Sequence, residues 1–159
     1  MKIAIKKCGF YVNEWHLTMM ILPYVKNKIE EKENVIIVSN ENLENNIKTI
    51  LNKINLKDEI KQELIKISCN VIRIEEISEQ INKYDEIIIV GKEEYINKVN
   101  KEIEKVVTRE KISIVDCYEV LDFNKNIEQI LSNHKMLVNT AGEKSIEETF
   151  DGFGKKDII

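Results

Sequence analysis

Four short runs of aliphatic, largely β-branched residues recur along the chain, separated by stretches whose apolar residues return every three or four positions. The runs are Val35 to Val38, Ile87 to Val90, Ile112 to Val115 and Met136 to Val138. They lack the alternation of a strand with one wet face, so they read as strands covered on both sides. Val71, Ile72 and Ile74 suggest a weaker strand, and Phe10 to Val12 another near the start. One intervening stripe is Leu17, Met20, Ile21, Tyr24, Val25 and Ile29, and a second is Leu43, Ile47, Ile50, Leu51 and Ile54. A third is Tyr95, Ile96, Val99, Ile103, Val106 and Val107. Their period is that of a helix with one apolar face. Shorter helices are expected around Ile60, Leu64 and Ile67, around Phe123, Ile127, Ile130 and Leu131, and around Ile146 and Phe150.

Doubly covered strands alternating with one-faced helices predict a three-layer α/β/α domain built on a mostly parallel sheet. Helix starts are expected at Ser39-Asn40 ahead of Glu41 and at Asn124, because these side chains can accept from free first-turn amides. Pro23 interrupts the stripe from Leu17 to Ile29. In a straight helix it costs about 3 kcal/mol, so a kink or a fresh start is expected there. A start at Pro23 would leave Asn13 to Leu22 as a separate turn.

A length of 159 residues suits a single core, and no low-complexity linker divides it. No apolar run approaches the ~20 residues that span a bilayer. Lysines interrupt the first residues, so no leader or anchor is expected and the chain reads as soluble and cytoplasmic. The charges are interleaved, with a net value of -4 and no basic stripe, so nucleic acid is not an expected partner. Arg73 and Arg109 are the only arginines, which leaves few candidates for a bidentate anion clamp. Cys8, Cys69 and Cys117 are odd in number and scattered; they read as reduced and buried.

The phosphate-cradling loop needs glycines for its sharp path and a lysine for the terminal phosphates. Gly91-Lys92 is the nearest approach, but no glycine precedes it at the required spacing and Glu93 follows. A dinucleotide fingerprint fails for lack of glycine. His16 and His134 are too few and too far apart in sequence for a metal motif, so neither a metal nor another cofactor is expected. Cys117 ends a strand, where open α/β sheets place functional groups. The nearby Glu119 and Asp122 would raise a thiol pKa, so a catalytic thiolate is not expected there.

Phe10, Tyr11 and Trp15 cluster near the start, and Tyr24, Tyr118 and Phe123 become neighbours if the first and fifth strands adjoin. Phe10, Tyr11, Trp15, Tyr24, Cys117, Tyr118 and His134 form the candidate lining of an apolar ligand pocket at the mouth of the sheet, with ordinary core packing as the alternative. The charged stretch Lys92 to Lys105 reads as a solvated helix face with pairs such as Glu94 and Lys98. Ile146, Phe150 and Phe153 give a small apolar stripe that could dock a protein partner.

The order of segments resembles a known family. Cys8-Gly9-Phe10-Tyr11, then Leu22-Pro23-Tyr24-Val25-Lys26-Asn27-Lys28-Ile29-Glu30 leading into Val35-Ile36-Ile37-Val38, is similar to the opening of MEDS domains, the methanogen/methylotroph DcmR-type sensory domains. Ile114-Val115-Asp116-Cys117-Tyr118-Glu119, followed by Phe123, Leu131 and His134 ahead of Met136 to Val138, looks like that family's close. The similarity runs from about Cys8 to Gly142. It implies a RecA- or KaiC-like core without a P-loop that senses small hydrocarbon derivatives, a type often fused to histidine kinases or DNA-binding modules. Lys6 stands where the family pattern has His, Asp116 where it has Cys, Val120-Leu121 in place of a basic stretch, and Lys135 in place of Pro after His134.

These observations predict a MEDS-like domain over residues 1–142, with residues 143–159 adding a short helix and a tail. The expected function is non-catalytic sensing or regulation in prokaryotic signal transduction. The expected partners are a small apolar ligand, a histidine kinase or transcription regulator, and a second copy of the chain. The rival expectation is a nucleotide-binding protein or enzyme using Ser39, Asn40, Glu41, Gly91 and Lys92 in loops at the carboxyl ends of strands. A third is a structural interaction protein without an enclosed pocket.

Overall fold

The computed structural model describes residues 5–108, 111–120 and 127–149. Its strands are β1 (Ile5–Tyr11), β2 (Val35–Ser39), β3 (Glu86–Gly91), β4 (Ser113–Glu119), β5 (Met136–Asn139) and β6 (Gly142–Ser145). They form one sheet in the order β2-β3-β4-β1-β5-β6. The first five run parallel, and β6 returns antiparallel to β5. The helices are α1 (Glu14–Glu30), α2 (Glu44–Leu51), α3 (Asp58–Cys69), α4 (Ile77–Gln80), α5 (Glu93–Val106), α6 (Ile127–Ser132) and α7 (Ile146–Thr149).

Two cores flank the sheet. On one face α1, α2 and α3 bring Leu17, Met20, Ile47, Leu51 and Leu64 into the core formed with Ile37, Ile88, Val90 and Val115. On the other, α4, α5 and α6 bring Ile77, Ile96, Val99, Ile103 and Leu131 to Ile36, Ile87, Ile89 and Ile114. Successive residues such as Ile36 and Ile37 therefore enter opposite cores, which is why the strand runs are continuously apolar. The predicted three-layer α/β/α architecture is the one observed.

Several local expectations are corrected. The first strand starts well before Phe10, because the ammonium groups of Lys6 and Lys7 find partners inside the protein. Residues 71–74 contribute one isolated bridge, Ile72 to Val38, and then a 3-10 turn over Ile74–Glu76. Helix α1 runs unbroken through Pro23, so Asn13 to Leu22 is not a separate turn. Helix α2 begins at Glu44 rather than after Ser39-Asn40. Ser39 instead accepts from the Glu41 N–H at 3.0 Å, and Asn42 from the Glu44 N–H at 3.0 Å, so two tight turns leave Asn40 and Glu41 in the loop after β2. Phe123 and Asn124 lie outside the described residues.

The sheet continues past residue 142, where β6 pairs with β5 as an edge ribbon. Ile146 belongs to the second core and is buried, which commits it to internal packing. Phe150 and Phe153 lie outside the described residues. No helix among the described residues is long and apolar enough to cross a membrane.

Candidate functional site

Topology selects one end of the sheet. After β1 the chain passes over one face through α1, and after β4 it passes over the other through α6. Adjacent parallel strands whose connections diverge in this way open a crevice at their carboxyl ends. Here those ends are Tyr11 of β1 and Glu119 of β4, which pair in register.

A compact cap fixes the exit from β1. The Asn13 side chain accepts from the His16 N–H at 2.8 Å, while the Val12 N–H donates to His16 Nδ1 at 3.0 Å. Glu14 is thereby the first residue of α1, and Asn46 of α2 donates to its carboxylate at 2.6 Å. Glu41 comes from the loop after β2. The Tyr11 side chain is only 2% exposed, and its hydroxyl has no hydrogen-bond partner among the described residues. Burial, then Glu41, Glu119, Cys117 and Glu14, push this phenol far above its ordinary pKa, so it stays protonated. Burial also raises the Glu41 carboxyl, helped by Glu119 and Glu14 and opposed by Lys92.

Beside Glu41 is a cavity of about 350 Å³. Asn40 and Glu41 line it from the loop after β2, Gly91 and Lys92 from the end of β3, and Tyr95 and Lys98 from α5. Gly91 has φ +155°, and a Cβ there would stand 3.0 Å from the Tyr95 ring. Glycine therefore both permits the backbone path and makes room for the ring. The Tyr95 hydroxyl, like that of Tyr11, lacks a partner among the described residues, and burial followed by Glu75 pushes its pKa up to about 12. Clefts of about 420 and 480 Å³ lie elsewhere, lined respectively by the starts of β1, β3 and β4 and by the β5–β6 ribbon. Position at the carboxyl ends of the strands, not size, singles out the cavity beside Glu41.

The seven predicted lining residues do not form one wall. Tyr11 and Cys117 face the core on one side of the sheet. Phe10 and Tyr118 stack on the other side with centroids 5.7 Å apart, and the His134 ring meets Tyr118 edge-on at 6.2 Å. Tyr24 lies on the Tyr11 side but at the opposite ends of the strands, donating to Glu86 at 2.6 Å and accepting from Lys7 at 2.8 Å. Trp15 is 49% exposed on α1. Clustering along the chain does not survive the two-residue period of strands, which sends neighbours in sequence to opposite faces.

A second constellation carries no sequence motif. Asp116 is 1% exposed and accepts from Lys6 at 2.8 Å, Asn100 at 3.0 Å and His134 Nε2 at 2.7 Å. The other ring nitrogen, Nδ1, faces the Ile130 carbonyl. Both nitrogens meet acceptors, so the arrangement is satisfied when the ring carries both protons. Burial would raise the Asp116 pKa, but the His134 hydrogen bond and the Lys6 charge outweigh it and hold the carboxyl below its usual range.

The buried thiols are quiet. Burial, then Asp116, pushes the Cys8 pKa up to about 12, and burial with Asp116 and Cys8 pushes Cys117 higher still. A thiol reacts as its thiolate, so neither is an activated nucleophile. Iodoacetamide under mildly alkaline native conditions is expected to label Cys69, the exposed cysteine, and to reach Cys8 and Cys117 only after unfolding. Peptide mass mapping checks this, and rapid native labelling of Cys117 would contradict it. Among the described residues no group of His, Cys, Asp and Glu side chains is placed to hold a metal ion. No family model matches the chain, and no curated protein matches it.

Proposed function

We propose that this chain is a non-catalytic sensory or regulatory domain that binds a small molecule at the carboxyl end of its sheet and signals through a protein partner. The observation that carries the reading is the cavity between Asn40, Glu41, Gly91, Lys92 and Tyr95, placed where open α/β sheets receive ligands. The quiet thiols favour recognition over turnover. The resemblance to MEDS domains supports the same reading. A ligand acts only by favouring one conformation or complex over another, so a partner belongs to the proposal.

The same cavity also favours a second reading, because Asn40, Glu41, Gly91 and Lys92 are the residues a nucleotide-binding protein would use. Charge weighs against it. A polyphosphate would meet Glu41 and the first-turn residues Glu93 and Glu94 of α5, with Glu14 and Glu119 close by. Each like-charge pair at about 6 Å costs about 3 kcal/mol at an effective dielectric constant near ~20.

Thermal unfolding with Mg-ATP and, separately, with small non-phosphorylated metabolites tests both readings. A ligand at about 100 times its Kd adds about 2.7 kcal/mol, which is roughly 5–10 °C for a domain of this size. A shift from a non-phosphorylated compound, lost in the cavity-filling variant Asn40→Trp, is the expected result. A shift with Mg-ATP instead establishes the nucleotide reading, and no shift with any compound overturns both.

A further inference from the structure

We propose a second binding site, at the amino end of the sheet, that takes a small neutral molecule carrying several hydroxyl groups. It is independent of the cavity beside Glu41. The cleft of about 420 Å³ at the starts of β1, β3 and β4 is lined by Lys7, Lys28, Glu33, Glu86 and Ser113, and falls within the roughly 300–1,000 Å³ of small-molecule sites. Strand parity turns Glu86 and Ser113 toward α1, because Ile88 and Val115, two residues further along, belong to the core on that face. The two pair in register and form the floor. Lys7 joins them from β1, where it donates to Tyr24 at 2.8 Å, and Lys28 and Glu33 close over the cleft from the end of α1 and the residues after it.

Two polar groups in this cleft are left over. Ser113 is 7% exposed, and its hydroxyl has no hydrogen-bond partner among the described residues. The nearby Tyr24 phenol does not serve it, because that oxygen already donates to Glu86 and accepts from Lys7. Glu33 Oε2 is likewise buried without a hydrogen bond, 3.8 Å from the Lys28 ammonium. Lys28 is 8% exposed, yet its contacts to Glu31, Glu33, Glu86 and Glu143 run from 3.5 to 4.0 Å, longer than the roughly 2.7–2.9 Å of a charge-assisted hydrogen bond. Buried polar groups are normally matched, so unmatched groups in one cleft point to a bound partner.

The surroundings select its chemistry. An anion beside Lys28 would meet Glu31, Glu33 and Glu86, and a cation beside Glu33 would meet Lys28. A hydroxyl group avoids both repulsions, since its one oxygen accepts from an ammonium while its proton goes to a carboxylate. An oxygen about 2.8 Å from each group spans the gap between Lys28 and Glu33, whereas an amide divides the two roles between separate atoms and suits a longer gap. Ser113 offers a second hydroxyl of the ligand both a donor and an acceptor. Hence the molecule carries more than one.

The test uses the full chain, observed by amide proton–nitrogen spectra during titration with glycerol, erythritol, xylitol and glucose. Glycine, acetamide and 1,5-pentanediol are the controls, a zwitterion, an amide and a chain with only terminal hydroxyls. At least one polyhydroxylated probe is expected to shift the amides of Glu33, Glu86 and Ser113 saturably, while the controls leave them in place. Ser113→Ala and Glu33→Ala should each weaken that binding roughly tenfold. Ser113→Ala should do so without lowering the melting temperature, since its hydroxyl makes no hydrogen bond among the described residues. A lowered melting temperature with unchanged affinity would show a structural hydroxyl and overturn the assignment. Saturable shifts from a control in place of the polyhydroxylated probes overturn the hydroxyl chemistry, and silence from every probe overturns the site, leaving the cleft to water.

Discussion

Asp116→Asn is expected to lower the stability of the folded chain by about 3–5 kcal/mol, the range typical of removing one partner from a buried ion pair. Asp116 sits on β4 beneath α5 and α6, pairs with Lys6 and accepts from His134 Nε2. An amide there keeps the shape but removes the negative charge, and its NH2 group confronts donors. For a domain of this size the loss corresponds to a fall in melting temperature of roughly 6–20 °C. Urea unfolding at neutral pH measures it, and a loss under about 1 kcal/mol would show that the cluster is not held by charge. The sign of the pH dependence follows from the depressed carboxyl. Its contribution is fully present above the unfolded-state value of 3.8 and disappears as the pH falls through the lower folded-state value. The Asn variant should lack that component of acid sensitivity. Replacing Asp116, His134 and Lys6 together by apolar residues should recover much of the loss, because no unpaired charge then remains.

Glu86→Ala is expected to cost about 3–4 kcal/mol, on the same principle applied to the other face. Glu86 opens β3, is 3% exposed, accepts from the Tyr24 hydroxyl at 2.6 Å and lies 4.0 Å from the Lys28 ammonium. Lys7 in turn donates to Tyr24, and both lysines lie over the Tyr24 ring at 4.9 and 5.2 Å. Without the carboxylate the phenol loses its acceptor, and the buried cations must rely on Glu143, with Glu31 and Glu33 aiding Lys28 alone. Glu86→Gln retains an acceptor for Tyr24 and should lose only about 1–2 kcal/mol. Chemical denaturation of the two variants distinguishes the contributions. Equal losses would mean that the charge of Glu86 carries the whole effect and that the Tyr24 hydroxyl contact adds nothing; no loss in Glu86→Gln would mean that the charge does not matter.

Strands β2 and β3 are legible in the sequence because both of their faces are apolar, and an uninterrupted aliphatic run of that length suits a doubly covered strand better than a one-faced helix. β1 is legible only at its end. Lys6 and Lys7 look like surface residues in sequence, yet each places its charge inside, one on either side of the sheet, against acceptors distant along the chain. Asp116 is hidden in the same manner within β4. Lys6 and Asp116 stand far apart in the sequence; in space they are one pair, and each supplies what the other needs. β6 escapes a reading by hydropathy because Gly142, Glu143, Lys144 and Ser145 carry no strand-like apolar signal, as befits an edge. For the site, the carboxyl end of the sheet is the right region, but strand parity sorts the aromatic residues expected there into two cores. The residues that line the cavity come from the loop after β2, the end of β3 and α5, and no spacing along the chain announces that convergence.

The short ribbon at the sheet's margin has a consequence out of proportion to its length. Glu143 reaches inward to both Lys7 and Lys28, so this hairpin fastens β6 to β1 and α1, like a latch closing over two interior cations. A fragment stopped just before it would give up more than trim. It would leave Lys7 without its carboxylate partner, so β1 depends for its comfort on a ribbon far along the chain.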